Sequence, residues 1–266
     1  MDWRRAKTVL IIAFLALNAM LSYQLWQDWR HQLNAAAGWT SLPSETQQAM
    51  RQKQIRLDAA IPTHAPELKE LTFAFHSKRE DAGPVPIDPP RDTRIVFLER
   101  ELRRELGRII PELESYEFDP AAGRDGVFVF NRMADGWPLF GVQLELHYRN
   151  QKITAYRQDR IRIFPSDGAP ARKVLPAAQA VANLIEKYLP KGAVVKDIRL
   201  GYHGQIFDAE TQVAAPTWRV LLEDGEVYYI HAISGEVSAG GGDASGEDAS
   251  GEDASGGDAS GGDVSS

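Results

Sequence analysis

The side chains that most often carry catalysis or bind metals are sparse in this chain and are not spaced for either task. None of the six histidines occurs in H-E-x-x-H or another metal-binding spacing: His31, His64, His76, His147, His203 and His231. The chain has no cysteine, which excludes thiol nucleophiles, cysteine-ligated zinc and iron–sulfur clusters. We therefore predict no cofactor and no metal site.

Motifs for nucleophilic catalysis and phosphate binding are missing from the sequence. It contains no G-x-S-x-G, S-x-x-K, P-loop or G-x-G-x-x-G pattern. Paired carboxylates could still perform acid–base chemistry, but only their separation in space would reveal them. We predict that the protein is not an enzyme; a membrane-anchored hydrolase is the alternative that converging carboxylates would support.

Aromatic residues near the carboxyl end have two interpretations. Trp218, Tyr228 and Tyr229 could form a platform for a ligand. Trp218 alternates with Val220 along one predicted strand, and Tyr228 alternates with Ile230 along the next. Because alternating residues face one side of a sheet, we favour core packing or cross-strand pairs.

An uncharged apolar run near the amino terminus indicates a membrane span. Residues 8–26 carry no charge, and about 18 apolar residues form a helix of roughly 27 Å, close to the hydrocarbon thickness of a bilayer. Arg4, Arg5 and Lys7 precede the run, and basic flanks tend to stay in the cytoplasm. We predict a cytoplasmic end at residues 1–7, a transmembrane helix at 8–26 and an extracytoplasmic remainder.

A cleaved signal peptide would also begin with basic and apolar residues. Its apolar part is shorter, however, and a small-residue cleavage site follows it directly. Residues 23–27 are a poor site of this kind, and the Ala-Ala-Ala at 35–37 lies about ten residues too late. Trp3 and Trp26 fit the aromatic belts at the two membrane faces. We therefore predict an uncleaved anchor in the lipid bilayer of the cell membrane.

Two polar residues inside the apolar run share one helical face. Asn18 and Ser22 are four residues apart, and Ile11, Leu15, Asn18 and Ser22 follow a heptad-like line. Transmembrane helices associate through close packing and interhelical hydrogen bonds. We predict that this face binds a partner transmembrane helix; the alternative is that one asparagine is tolerated in a long apolar helix.

The net charge of −7 comes from the carboxyl-terminal segment. Residues 239–266 contain seven acids and no base, which leaves thirty acids against thirty bases elsewhere. With no basic surplus, nucleic acid is not an expected partner. The Gly/Asp/Ala/Ser repeats cannot bury apolar surface, so we predict a disordered acidic tail rather than a weak calcium site.

Between the anchor and the lobes, the patterns predict helices and a linker. Ser44 as N-cap, with Gln47 at the capping-box position, predicts a helix that runs to about residue 60. Four prolines make residues 83–90 a predicted loop or linker. Residues 27–93 are therefore assigned to juxtamembrane helices and a linker.

Farther along, a helix followed by antiparallel strands is predicted twice. The predicted helices cover residues 95–110 and 176–189. The predicted strands are 71–76, 127–132, 139–148, 152–164, 194–202, 217–222 and 226–231. Asp135-Gly136 and Asp224-Gly225 predict turns between strands. We predict an α+β fold with two helix-plus-antiparallel-sheet lobes, residues 94–164 and 165–238.

Both ends of the chain resemble the YycI family, also called WalI. At the amino end the shared residues are Met1-Asp2-Trp3, Lys7-Thr8, Ile11-Ile12, Phe14, Leu17-Asn18 and Gln24-Leu25-Trp26. At the carboxyl end they are Tyr202-x-Gly204, Pro216-x-Trp218-Arg219-Val220 and Asp224-Gly225-x-x-Tyr228-Tyr229-Ile230-x-Ala232-x-Ser234-Gly235-Glu236-Val237. The last block is also similar to the end of PepSY-type modules.

The resemblance implies a single-pass membrane protein with a YycH- or PepSY-like extracytoplasmic domain. Its implied partners are a YycH-like protein and the sensor histidine kinase YycG, also called WalK, of the Gram-positive Yyc two-component system. It further implies regulation of that kinase, and with it cell-wall metabolism, without catalytic residues. The alternative function is a membrane-anchored PepSY-like module that binds a ligand or inhibits a protease.

Overall fold

The computed structural model describes residues 41–76, 83–165, 170–204 and 209–240, together with Phe14, Asn18 and Met20. The α-helices described in full are α1 (Ser44–Lys53), α2 (Glu99–Leu106) and α3 (Ala177–Lys187), and short 3-10 helices cover Thr93–Phe97 and Leu113–Ser115. The strands are β1 (Arg56–Leu57), β2 (Glu67–Leu68), β3 (Leu71–Phe75), β4 (Val85–Asp92), β5 (Tyr116–Phe118), β6 (Val127–Ala134), β7 (Trp137–Arg149), β8 (Lys152–Gln158), β9 (Ile161–Phe164), β10 (Arg172–Lys173), β11 (Val194–His203), β12 (Gln212–Leu222), β13 (Val227–His231) and β14 (Val237–Ala239).

The predicted membrane span falls almost wholly beyond the described residues. Within the part of the chain that is described, no helix is both long enough and apolar enough to cross a bilayer. Residues 1–7 and most of 8–26 lie outside the described residues, as do residues 241–266 of the predicted tail. At that end, strand β14 reaches the first residue of the segment predicted as a tail.

The first lobe is an antiparallel meander with helix α2 on one face. Its strands run in the order β4-β8-β7-β6-β5. Leu102 and Leu106 of α2 are buried in one cluster with Phe130, Leu144 and Ile153 of the sheet. The four-residue spacing puts both leucines on the same helix face, so the apolar stripe of α2 lies on the sheet.

The second lobe places helix α3 on strands β11 to β14. Ile185 of α3 is fully buried together with Trp218 and Ile230 of the sheet. Helix α1 packs on α3, where the Thr46 hydroxyl donates a hydrogen bond to a Glu186 carboxylate oxygen at 2.6 Å. Helices on a large, mainly antiparallel sheet confirm the prediction of an α+β fold.

The two lobes share one continuous sheet because β7 bridges them. The first half of β7 pairs with β11 in parallel at Leu139 and Tyr202, and its second half pairs with β8. Gly201 permits this approach: a Cβ there would lie 2.4 Å from the Pro138 carbonyl oxygen and 2.7 Å from the Phe140 ring. A residue without a side chain is therefore required where the lobes join.

Gly201→Ala is expected to lower the free energy of unfolding by about 1–3 kcal/mol, because its Cβ overlaps a backbone carbonyl that cannot rotate away. Gly83→Ala is the matched control, since a Cβ at that position meets no atom within 4 Å. Urea denaturation of the two variants measures the difference. Equal stability would show that β7 and β11 do not approach this closely.

The prediction that residues 83–90 form a loop or linker is wrong. Residues Val85–Asp92 form β4, which pairs with β8 at both of its ends, and the register shifts between Pro86 and Arg91. Because β4 lies at the edge of the sheet, one side of the strand needs no partner, and prolines are tolerated there. Much of the region assigned to a linker also pairs with the lobes: β1 with β11, and β3 with β9 and β12.

Helix α1 is shorter than predicted and is capped differently. Pro43 holds the N-cap position rather than Ser44, and the Gln47 side chain donates a hydrogen bond to a backbone carbonyl oxygen at 2.9 Å. The helix ends at Lys53 because Gln54 takes a left-handed conformation with φ of 57°. The chain then turns directly into β1, so the helix predicted to reach residue 60 is about two turns too long.

Two other predicted elements are each divided. The helix predicted at 95–110 is divided into a 3-10 helix and α2 by Leu98, whose φ of −125° and ψ of 88° are not helical. The strand predicted at 152–164 consists of β8, which pairs with β7, and β9, which pairs with β3. The second division falls at Asp159, whose carboxylate accepts a hydrogen bond from the backbone N–H of Gln143 at 3.1 Å. Because of the second division, one continuous sequence pattern forms two strands that pair with different neighbours.

Candidate functional site

Asn18 is described, unlike the other residues predicted to bind a partner helix. Its side chain is exposed, and its amide nitrogen donates a hydrogen bond to the Phe14 carbonyl oxygen at 2.8 Å. Ile11, Leu15 and Ser22 lie outside the described residues. A bond to the carbonyl four residues earlier uses one amide donor of Asn18, and the side-chain oxygen keeps its acceptor capacity for a neighbouring helix.

The aromatic residues of the carboxyl-terminal block lie in the sheet of the second lobe. Trp218 is fully buried, and its Nε1 donates a hydrogen bond to the Leu175 carbonyl oxygen at 2.9 Å. Trp218 lies opposite Ile230 on the neighbouring strand, and Val220 lies opposite Tyr228. The interpretation of Trp218 as a core residue in a cross-strand pair is confirmed.

A buried ion cluster connects the two lobes. Arg219 of β12 forms an ion pair with Asp119, directly after β5, at 2.5 Å and another with Asp197 of β11 at 2.8 Å. Asn131 of β6 donates a further hydrogen bond to Asp119 at 2.6 Å. The side chains of Arg219 and Asp119 are only 5% and 1% exposed, so this pair is removed from solvent. We call these four residues the interlobe cluster.

The charges of the interlobe cluster are fixed by pairing. Burial alone would raise the pKa of Asp119, but hydrogen bonds and the positive charge of Arg219 outweigh burial and hold that pKa below its ordinary value. Burial opposes the charge of Arg219 too, and the two aspartates raise its pKa. Both groups stay ionised in the folded protein and neutralise each other, so the cluster serves to join the lobes.

A stack of rings lies beside the interlobe cluster. The Arg219 guanidinium lies over the Phe140 ring, 4.7 Å from its centre, and His203 stacks on Tyr229 with ring centres 3.6 Å apart. Burial lowers the pKa of His203, although a backbone hydrogen bond with Phe140 opposes this shift. His203 is therefore neutral near pH 7 and packs as an aromatic ring.

The remaining described histidines do not build a metal centre. Among the described residues, no group of three or more Asp, Glu or His side chains is arranged to hold a metal ion. His231 Nδ1 accepts hydrogen bonds from the backbone N–H groups of Ile233 and Ser234 at 3.2 and 3.1 Å, which stabilises the turn after β13. His147 lies 3.5 Å from the Glu145 carboxylate. Both residues lie in strands, and His231 has a structural role there.

A groove lined by both apolar and charged side chains opens on the first lobe between α2 and β5. It has a volume of about 460 Å³. Its apolar lining includes Val96, Phe97, Leu102, Tyr116, Phe118 and Phe130. Burial raises the pKa of Tyr116 to about 12, so its hydroxyl stays protonated and donates a hydrogen bond to the Asp159 carbonyl oxygen. We call this feature the phenylalanine groove.

Three phenylalanines pack edge to face at the mouth of the phenylalanine groove. The Phe97 ring centre lies 5.7 Å from that of Phe118 and 5.9 Å from that of Phe128. Phe118 and Phe128 are 6.0 Å apart, which closes the triangle. Phe97 is nevertheless 65% exposed, so one wall of the groove is an aromatic ring in contact with solvent.

The sequence profile of the YycI protein family matches residues 99–233, from the first residue of α2 to just beyond β13. The chain belongs to the YycI family. The YycI family is a regulatory family of the YycFG two-component system, is generally associated with the membrane, and is not known for catalysis. The match includes most of both lobes and all of the interlobe cluster, so the region common to the YycI family contains the lobe junction.

Solved structures are similar to this YycI-family chain over part of its length. A crystal structure of an uncharacterized protein from Eubacterium rectale is 14% identical, with a TM-score of 0.32, and the similarity covers 49% of this chain and 45% of that one. The chain thus spans less than half the length of that protein. No curated protein sequence matches the present chain.

Sequence reasoning missed both the interlobe cluster and the phenylalanine groove. Asp119 and Arg219 are 100 residues apart, and nothing local to either residue indicates the pairing. A weak signal for the groove does exist, because Phe128 and Phe130 alternate along β6 and so face the same side of the sheet. The exposure of Phe97 follows from the break before α2, which the helical pattern did not predict.

Proposed function

We propose that this chain is a membrane-anchored, non-enzymatic regulator of a YycG-like sensor histidine kinase and that it acts together with a YycH-like partner. The observation that carries the proposal is the family match over residues 99–233. Because the family acts in the YycFG system, control of the kinase would affect cell-wall homeostasis.

The proposal includes a defined arrangement at the membrane. Residues 1–7 lie in the cytoplasm, residues 8–26 span the bilayer, and the chain that follows leads from the membrane into helix α1. The lobes lie outside the cytoplasm, and the acidic repeats that follow strand β14 form a disordered tail. The charge-free run and its basic amino-terminal flank support this orientation.

Regulation of this kind requires binding rather than chemistry. A partner shifts a kinase between two arrangements only if it binds them with unequal affinity. The shared sheet and the interlobe cluster hold the two lobes together, so a contact made by either lobe constrains the whole extracytoplasmic region. The anchor would transmit that constraint to the kinase through helix–helix contacts in the membrane.

Asn18→Leu is expected to weaken association with the kinase and the YycH-like protein about 3- to 30-fold, the range of one interhelical hydrogen bond. Quantitative co-purification from membranes of the native host measures the association. The full chain carries an affinity tag, and the recovered histidine kinase is counted per molecule of tagged chain.

Two control chains isolate the role of the Asn18 face. Gln24→Leu makes the same kind of polar-to-leucine change six residues away, on a different face of the helix, and is expected to leave recovery unchanged. Deletion of residues 241–266, which lie beyond strand β14, is also expected to leave recovery unchanged. Unaltered recovery with Asn18→Leu would refute the contact by Asn18, and no kinase recovered with the unmodified chain would refute the proposed function itself.

A further inference from the structure

The mouth of the phenylalanine groove exposes more apolar surface than folding requires. Phe97 is 65% exposed and the adjacent Leu98 is 49% exposed. Contiguous apolar surface of this kind, beside a concave site, commonly marks an interaction surface. We propose that the phenylalanine groove binds a cationic amphipathic helix of a partner protein. This proposal does not depend on association with the kinase.

The exposed ring of Phe97 is held in place before any partner arrives. Its edge-to-face contacts with Phe118 and Phe128, at 5.7 and 5.9 Å, fix the side chain on two sides. An ordered anchor loses little conformational entropy on binding, and aromatic side chains are the commonest centres of binding energy at interfaces. The geometry is therefore that of a formed binding surface.

The charges around the groove favour a cationic occupant. Glu99 pairs with Arg103 at 2.6 Å, and Glu117 pairs with Arg199 at 2.6 Å. Glu114, which also borders the groove, is exposed and forms no ion pair with another described residue. One carboxylate at the rim thus remains for a lysine or arginine of the occupant.

The openness of the groove favours a helix over a small molecule. A small ligand is held by a pocket that encloses most of its surface, but one wall here is a phenylalanine that is 65% exposed. A volume of about 460 Å³ accommodates a few large side chains. An amphipathic helix supplies such side chains at positions i, i+4 and i+7 and needs only an open groove.

The test uses the full chain in lipid nanodiscs and two synthetic fluorescent peptides. Both peptides carry leucine, tryptophan and leucine at positions i, i+4 and i+7 of an amphipathic helix; one has lysines on the polar face and the other has glutamates. Fluorescence anisotropy measures their dissociation constants. The lysine peptide is expected to bind about 10-fold more tightly than the glutamate peptide.

Variants of the chain locate the binding to the groove. Phe97→Ala is expected to weaken binding of the lysine peptide about 10-fold, and Glu114→Gln about 3-fold. Tyr188→Ala is the matched control, because Tyr188 is a 48% exposed aromatic residue at the end of α3 in the second lobe. It is expected to leave binding unchanged. Thermal unfolding of each variant confirms that it is folded.

Three results would overturn the proposal. The first is equal affinity for the lysine and glutamate peptides, or no binding of either. The second is unchanged binding after Phe97→Ala. The third is self-association of the chain that disappears with Phe97→Ala, which would show that a second copy of the chain occupies the groove.

Discussion

Replacing Arg219 with methionine is expected to lower the free energy of unfolding by about 3–5 kcal/mol. The change removes the positive partner of Asp119, which is 1% exposed and would keep only the hydrogen bonds from the Asn131 side chain and the Ala121 backbone N–H. A carboxylate buried without a counter-charge is strongly unfavourable. Urea denaturation of the full chain, followed by tryptophan fluorescence, measures the loss.

A double variant distinguishes the energetic cost of burying an unpaired charge from the contribution of the ion pair to the free energy of unfolding. Arg219→Met combined with Asp119→Leu replaces both charges by apolar groups and is expected to recover most of the lost stability. Arg103→Met, which breaks the exposed pair with Glu99, is the matched control and should cost about 0.5 kcal/mol or less. A small effect of Arg219→Met, close to that of the control, would mean that water reaches Asp119.

Trp218→Ala is expected to cost about 3–5 kcal/mol in the free energy of unfolding. The indole is fully buried between α3 and the sheet of the second lobe, and its removal leaves a large cavity. It also leaves the Leu175 carbonyl oxygen without the hydrogen bond that Nε1 donates at 2.9 Å. Thermal and urea unfolding of the variant measure the cost.

Two further variants show whether burial is the cause of the Trp218 effect. Trp218→Phe keeps most of the apolar volume and loses the hydrogen bond, so it is expected to fall between the unmodified chain and Trp218→Ala. Tyr188→Ala, at a 48% exposed aromatic position, is expected to cost about 1 kcal/mol or less. If all three changes had the same effect, the conclusion that Trp218 is fully buried in the core would be wrong.

Trp218 and Arg219 are neighbours on β12 and serve opposite faces of the same sheet. Because successive side chains of a strand point to opposite sides, one residue fills the core under α3 and the next reaches the first lobe. Both residues belong to the block that resembles the YycI family, and in this chain both have structural roles. Binding is proposed elsewhere, at the anchor and at the phenylalanine groove.

The sequence alone was sufficient for the properties that depend on near neighbours. The α+β class, the helix at α3, the strands around the two Asp-Gly turns and the burial of Trp218 all followed from patterns within about ten residues. Turn chemistry and apolar periodicity act over that range, because they reflect backbone conformation and the face that a residue presents. The resemblance at residues 202–237 was likewise readable from the residues themselves, and the family profile matched across most of that segment.

Tertiary structure alone decided how these elements join. The prolines at residues 84–90 indicated a linker in the sequence, but in the structure that segment pairs with β8 as an edge strand. The lobes became one sheet through Gly201 against Pro138, and Asp119 met Arg219 across 100 residues of chain. The phenylalanine groove formed from α2, two 3-10 helices and strands β5 and β6. Each of these contacts depends on residues that lie far apart in the sequence and meet only when the core packs, so no local pattern encodes them.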